Sequence, residues 1–294
     1  VKQHNFSSAL FCILASVFAG LATAPAAAPY DTATVTRVEN KATVAEIKGG
    51  QAADAHPAAV HEVIHANSFL QTSGDGRAEL EFRDKSLVRV GPNSVFSFES
   101  SSRTVSLQKG SMLFYLPHGK GGVKVKTAAL TAALTGTVLI VSGNDVALAS
   151  GRTTLKYTNL AGEEKTLVLE AGDGNNAATF DPATGEFIPY HLDFSNSSNP
   201  LAAAGANLAS WAVLPANAQI EIATNSPSLT DAIAEAAANA APGGGESVYG
   251  NISPLFSSWW GGGGGAAAAG TTTRVLADGS IGIFDSLGNL VGVQ

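Results

Sequence analysis

The sequence predicts an all-β fold: an antiparallel sandwich or roll of short strands, followed by a short Ala-rich helical region and a small C-terminal β meander. Two observations predict it. Between residues 32 and 142, short runs of alternating apolar and polar residues are punctuated by Gly, Pro, Asn and Asp, and they recur about every 8–12 residues, the spacing of sandwich strands. Composition agrees: only 14% of the 294 residues are charged, 45% are hydrophobic and 32 are Gly, which suits tight turns around a sizeable core better than charged surface helices.

Taken in order, the chain opens with Lys2, an apolar run over residues 9–21 and the small-residue stretch ATAPAAAP. That is the three-part pattern of an export signal, and its apolar run falls short of the about 20 residues needed to span a bilayer. Pro25 and Pro29 disfavour cleavage directly before them, so residues 1–26 are expected to leave, with the cut near Ala26. Loss of the one charge at Lys2 would take the formal net charge from −7 to −8. The expected home is the periplasm or the extracellular space, with no stable transmembrane segment in the mature chain. The only cysteine, Cys12, lies within the signal, so no disulfide is expected.

Strands are predicted over 78–82, 87–90, 95–98, 104–107, 112–116, 123–127 and 137–141. Residues 143–198 extend the same domain, with hairpins around Asn159–Glu163 and around the Asp181-Pro182 turn. From 199 to 245 the chain turns Ala-rich, and helices are predicted over 201–211 and 228–241. Ser228 is read as the cap of the second and Asp231 as lying in its first turn. Residues 246–270, which hold Trp259-Trp260 and Gly261 to Gly265, form a Gly/Ala-rich linker. Residues 271–294 carry turn signals at Asp278-Gly279 and Gly288-Asn289 between three short strands. So small a meander buries little alone and needs a partner surface.

Residues 61–65 read HEVIH, the spacing of zinc peptidases. Zinc would need His61 and His65 on one helix turn with Glu62 beside the metal-bound water. In an extended strand the two histidines stand about 13 Å apart and cannot share an ion. Val63 and Ile64 are β-branched, Ser68 and Gln71 stand where the longer metzincin pattern has Gly and His, and Glu79 and Glu81 belong to a strand. The expectation is a structural segment. Gly172 to Ala177, a GxGxxA with Asp193 downstream, would bind a dinucleotide only if a helix began there, and Phe180-Asp181-Pro182 instead starts another turn. His118 and His191 read as solvated, and Trp211 and Trp259-Trp260 as anchors for the helices. Lys124 and Lys126 alternate on one strand face without interleaved aromatics, and an acidic chain gives no reason to expect nucleic-acid binding. No catalytic residue, metal or cofactor is expected.

One further pattern spans the β region. Leu70-Gln71-Thr72, Gly74 to Leu80, Phe82-Arg83-Asp84-Lys85-Ser86, Val90-Gly91-Pro92-Asn93-Ser94, Leu107-Gln108-Lys109-Gly110, Val125-Lys126-Thr127 and Gly136-Thr137 follow one another in order. Together they resemble the FecR-type domain, named for the ferric-dicitrate transmembrane sensor of bacteria. The resemblance runs from about residue 35 to 142 and implies an all-β envelope domain without catalytic residues, with HEVIH in an extended segment. Lys85 replaces the family's usual glycine, and Val138 stands where an aromatic often follows. The iron sensor has an anti-sigma region and a membrane helix ahead of this domain. Here the predicted export signal takes that place, so a stand-alone exported module is expected. Its predicted role is binding to an envelope protein or polymer, with the C-terminal meander as a docking element. The alternative is a signal-relay component of a FecR-type system, and the remote one a zinc peptidase.

Overall fold

A computed structural model describes residues 27–48, 51–172 and 174–240, together with three short strands at 272–275, 281–284 and 290–293. The predicted signal, linker and Trp259-Trp260 lie outside the described residues. The chain divides into two units, Val1–Val248 and Tyr249–Gln294.

The first unit is a sandwich of two nine-stranded sheets. One sheet is built from β1 (Thr32–Glu39), β4 (Val63–His65), β6 (Arg77–Phe82), β7 (Leu87–Val90), β10 (Ser111–Leu116), β13 (Thr137–Ser142), β14 (Asp145–Ser150), β17 (Ala177–Asp181) and β18 (Glu186–Tyr190). Its order is β18-β17-β14-β13-β10-β7-β6-β1-β4. The other holds β2 (Ala42–Lys48), β3 (Gln51–Pro57), β5 (Ser68–Thr72), β8 (Val95–Glu99), β9 (Thr104–Lys109), β11 (Val123–Lys126), β12 (Thr131–Leu134), β15 (Arg152–Thr158) and β16 (Glu164–Glu170). Its order is β16-β15-β12-β11-β9-β8-β5-β2-β3. Pairing is antiparallel throughout except between β9 and β11, which run parallel. The predicted all-β sandwich is therefore the fold.

Strand alternation puts Val35, Leu80, Val88, Phe114, Leu139 and Val146 of the first sheet against Val44, Leu70, Phe96, Val105, Val125 and Leu155 of the second in one core. Burial of these branched and aromatic side chains is the main drive to fold, at about 25 cal/mol per Å² of apolar surface. The two outer faces differ. β10, β13 and β14 are buried on both sides, whereas β11 and β16 alternate buried and exposed positions.

Helices α1 (Pro200–Ser210) and α2 (Ala216–Asn225) lie against the first sheet, and α3 (Pro227–Ala240) packs on both of them. Asn199 caps α1, its Oδ1 accepting from the backbone N–H groups of Leu201 and Ala202 at 2.9 and 3.3 Å, and Pro200 supplies the fixed φ of a first helical turn. Leu201, Ala202, Gly205, Leu208 and Ala209 form the buried stripe of α1. Gly205 is where the helix meets the sheet closely: a Cβ there would lie 2.8 Å from Ile140 Cδ1. Ser228 does not cap α3. It sits inside the helix and its Oγ accepts from the Phe194 N–H at 3.2 Å, while the Ser226 carbonyl accepts from Leu229 and Thr230. Helix α2, absent from the sequence expectation, starts behind Pro215 and buries only Ala218 and Ile222.

The second unit holds β19 (Thr272–Val275), β20 (Ile281–Phe284) and β21 (Leu290–Val293) in one antiparallel sheet of that order. Its turn segments, including Asp278-Gly279 and Gly288-Asn289, lie outside the described residues.

Candidate interaction surface

HEVIH is split between a turn and an edge strand. His61 has φ +72 and its N–H donates to the Val35 carbonyl, while residues 63–65 pair with β1 through Thr34↔Val63, Ala33↔Ile64 and Thr32↔His65. His61 and His65 are exposed and Ile64 enters the core. Glu62 closes the turn: its Oε2 accepts from the Ala59 N–H at 2.9 Å and its Oε1 lies 2.7 Å from His56 Nε2. The segment is held by turn and strand hydrogen bonds, not as a helical metal ligand pair. Among the described residues no group of three or more His, Cys, Asp or Glu is placed to hold a metal ion.

The GxGxxA segment leads into β17, a strand rather than a helix; Asp173 lies outside the described residues. Asn176 is buried and ties the segment to Leu192, accepting from its N–H at 2.6 Å and donating to its carbonyl at 3.1 Å. His191 contacts the Gly174 carbonyl at 3.0 Å. His118 is exposed and sits 3.6 Å from Glu221 of α2. Trp211 ends α1 half-buried, with the Arg37 guanidinium of β1 5.8 Å from its ring centroid.

The resemblance residues serve turns and the core. Thr72 Oγ1 donates to the Gly91 carbonyl at 2.6 Å and accepts from the Ser94 N–H at 2.9 Å. Ser94 Oγ accepts from the Ser111 N–H at 2.9 Å. Gly110, at φ +93, lies so close to Ser94 that a Cβ would come within 2.5 Å of its Cα. Asp84 accepts from the Ser86 N–H at 2.9 Å and pairs with Arg103 at 2.7 Å. Arg103 lies over the Tyr30 ring at 4.3 Å, and the Tyr30 hydroxyl donates to Ser86 at 2.8 Å. Burial pushes the Tyr30 phenol well above its ordinary range. Lys85 adopts φ +70, the left-handed backbone that glycine takes without strain, and its ammonium reaches Glu81 at 2.6 Å.

One polar centre escapes a reading of local sequence. Arg89, 0% exposed in the middle of β7, bonds Glu79 at 2.8 Å and donates to the carbonyls of Leu208 and Ala209, each at 2.9 Å, and of Val213 at 3.1 Å. Thr36 Oγ1 donates to Glu79 Oε1 at 2.7 Å. The guanidinium thus binds the carbonyl end of α1, where the helix dipole favours a cation, and joins the helical layer to the sheet. The signal was a single charge inside the apolar run Leu87-Val88-Arg89-Val90; its partners on α1 and just beyond it lie 119–124 residues away.

The outer face of the second sheet carries Gln71, Ser97, Ser106, Lys124, Lys126, Ala133 and Lys156, exposed or half-buried. Where β15 and β16 run past the start of β12, a groove of about 700 Å³ opens, lined by Lys126, Leu130, Thr131, Lys156, Tyr157 and Phe180 among others. A shallower cleft of about 510 Å³ beside α1 is lined by Arg77, Ser111, Ser142 and Asn207; Arg77 is already paired with Glu39 at 3.1 Å. Of the four outermost strands, β4 is three residues long and β3 carries Asp54 and ends at Pro57, whereas β16 is a regular seven-residue edge. Leu160, Val168 and Ile188, on the β15–β16 turn, β16 and β18, are 71%, 41% and 51% exposed. Among the described residues no helix is long and apolar enough to cross a membrane.

Comparison with curated proteins gives no match. Two crystal structures of a candidate anti-sigma factor from Parabacteroides distasonis ATCC 8503 are similar at 16% and 15% identity, with TM-scores of 0.37 and 0.36. In both cases the likeness covers 42% of this chain and 60% of the other, so the chain spans less than two thirds of that protein, and similarity this slight does not extend to function. The FecR protein family model matches residues 68–158, the stretch from β5 through β15. A FecR-like domain is therefore identified at the centre of the sandwich.

Proposed function

We propose that this chain is a non-catalytic FecR-type module of the cell envelope that takes part in signal relay by contact with another envelope protein. The observation that carries the reading is the FecR-like domain over 68–158. Its motif residues are spent on turns and core packing, which leaves the surface as the working part. The least protected contact site is the side formed by β16 and β18: β16 is an outermost strand whose Glu170 N–H already donates to the Asn175 carbonyl but which no further strand covers, and Leu160, Val168 and Ile188 supply apolar contacts. The predicted export segment at 1–26 would place the module outside the cytoplasm, with residues 32–142 and 143–198 as one β body, 199–245 as its helical cover, and 271–294, beyond the 246–270 linker, as a separate docking element.

The test is a photo-crosslinking side chain placed at Val168 or Ile188, with Val60 on the opposite side as control, combined with transcript profiling of a strain lacking the chain. The proposal expects a specific adduct from the first two positions only, and a small set of genes whose expression changes. An adduct equally frequent at Val60, or an unchanged transcript profile, counts against it. A second reading, binding without signalling, is favoured by the open polar face of the second sheet; it predicts adducts with no transcriptional effect.

A further inference from the structure

The four outermost strands of the sandwich are not equally closed. β4 has three residues, β3 holds Asp54 in the left-handed region at φ +55 and ends at Pro57, and β18 carries Pro189, which has no N–H to offer. β16 runs regularly over Glu164–Glu170. Its hydrogen-bond phase follows from its two ends: at the hairpin the Asn159 N–H donates to the Glu163 carbonyl at 3.0 Å, and beyond the far end the Ala171 N–H donates to the Gly151 carbonyl at 2.9 Å. The odd-numbered residues of β16 therefore turn their backbone groups toward β15, and Glu164, Thr166, Val168 and Glu170 turn theirs outward. The Glu170 N–H keeps to this phase by donating outward to the Asn175 carbonyl at 3.1 Å. The backbone groups of Glu164, Thr166 and Val168 have no hydrogen-bond partner among the described residues.

Side chains decide which occupant fits. On an added strand, the residues opposite Thr166 and Val168 would lie on the open face of the sheet, where Val168 is 41% exposed, and the residue opposite Leu167 on the inner side beside a half-buried leucine. Such a segment alternates polar or β-branched residues with an apolar one. A second copy of this chain is a poor match, because pairing β16 antiparallel with itself over its full length sets Glu164 opposite Glu170 at both ends. Glu164 is exposed and forms no ion pair among the described residues; Thr158 stands opposite it in β15, and Lys156 lies only diagonally across. Lys165 is taken by Glu163 at 2.8 Å. A basic residue on the added strand, directly opposite Glu164, would supply the missing charge.

We infer that β16 takes up an extended segment of another protein as a further strand, bonded to the backbone of Glu164, Thr166 and Val168, and that this segment places a basic residue opposite Glu164. The inference rests on the partner-contact reading above and gives that contact its form. The experiment is an NMR titration of the isotope-labelled chain with the capped hexapeptide TVVTTK, whose lysine meets Glu164 when its second residue pairs antiparallel with Val168. The expected result is saturable shifts that are largest at residues 164–168, with binding of TVVTTE weaker by about threefold, the size of one cross-strand charge pair. N-methylation of the second peptide residue should abolish binding and that of the third should leave it, because only alternate residues bond to an edge strand. Val168→Pro removes an outward N–H, so it should lose the peptide with the urea midpoint near that of the parent, and Thr166→Pro should do the same at the neighbouring outward position. Leu167→Pro, whose N–H faces Leu155, should instead lower the midpoint. No saturable binding, equal binding of TVVTTE, or peptide methylation that acts alike at both positions would overturn the inference, as would concentration-dependent shifts at 164–168 without peptide, which mark a second copy as the occupant. Crosslinks from Val168 and Ile188 would survive such a failure as side-chain contact; their absence would remove the partner-contact reading itself, even with the peptide bound.

Discussion

On the helix-covered sheet the row that crosses the middle strands reads Glu79, Arg89, Leu113, Ile140 and Ala147; on the open sheet the corresponding row reads Ser97, Ser106, Lys126, Thr131, Lys156 and Thr166. Both sheets feed one core from their inner faces. Only the first has lost water from its outer face as well, and there it keeps an ion pair that must be matched completely to be tolerated. The contrast separates the roles of charge in this molecule: on one sheet a guanidinium fastens a layer, and on the other the ammonium groups remain in solvent.

The largest effect should come from breaking the fastened side. Arg89→Ala leaves Glu79 and the carbonyls of Leu208, Ala209 and Val213 without this donor, and should cost about 3–5 kcal/mol in urea unfolding; Lys156→Ala on the open sheet should stay within about 0.5 kcal/mol of the parent. Comparable losses from the two would erase the distinction. Next in size is Gly110→Ala, which meets the Ser94 backbone and forces a left-handed non-glycine residue. A loss of about 2–4 kcal/mol is expected from the two causes together, with retained stability showing that the 91–94 and 110–111 turns are not interlocked.

Lys85→Gly sharpens the comparison from the other direction. It removes the steric cost of φ +70 and gives up only a surface ion pair with Glu81, so thermal unfolding should show a gain of up to about 1 kcal/mol. A loss would mean that the Lys85–Glu81 pair outweighs the backbone. The smallest effect is at His56, whose pKa is raised by the Asp54 carbonyl and then by Glu62. Because the folded value lies above the unfolded one of about 6.5, the contribution is complete below that pH and is lost as pH rises through the folded value. The Ala59 amide resonance, tied to Glu62, should therefore titrate with a midpoint above that of free histidine. A midpoint at or below it contradicts the contact.

How far these features were legible varies with how local their causes are. Strands such as 78–82 and 123–127 announced themselves because one face alternates with the other, and the turns at Asp84-Lys85-Ser86 and Gly91-Pro92-Asn93 carry their own chemistry. The runs at β10, β13 and β14, apolar at nearly every position, held a further message: burial on both sides calls for a covering layer. That message was legible, yet it does not say which segment covers. Helix α2 was missed because Ile220 is exposed and Ile222 buried on a short stretch, ANAQIEIATN, whose other residues are Ala and polar, which gives little periodic signal. Ser228 was misread as a cap because its hydroxyl is taken by Phe194 across the fold. The groove was half visible as Lys124 and Lys126 on one strand face, but Lys156, Tyr157 and Phe180 join it only through the register of β12 with β15 and the stacking of the two sheets.

The claim that most needs direct proof is that the helices are a fastened third layer of the sandwich. Hydrogen–deuterium exchange read by mass spectrometry across residues 200–210 in the parent and in Arg89→Lys tests it, because lysine keeps the charge but cannot reach Glu79 and the helix carbonyls together. The account predicts that α1 is protected in the parent to the level of β10 and β13, and that in the variant α1 loses protection while β11 and β15 keep theirs. Protection of α1 that is weak in the parent, or unchanged in the variant, would contradict it.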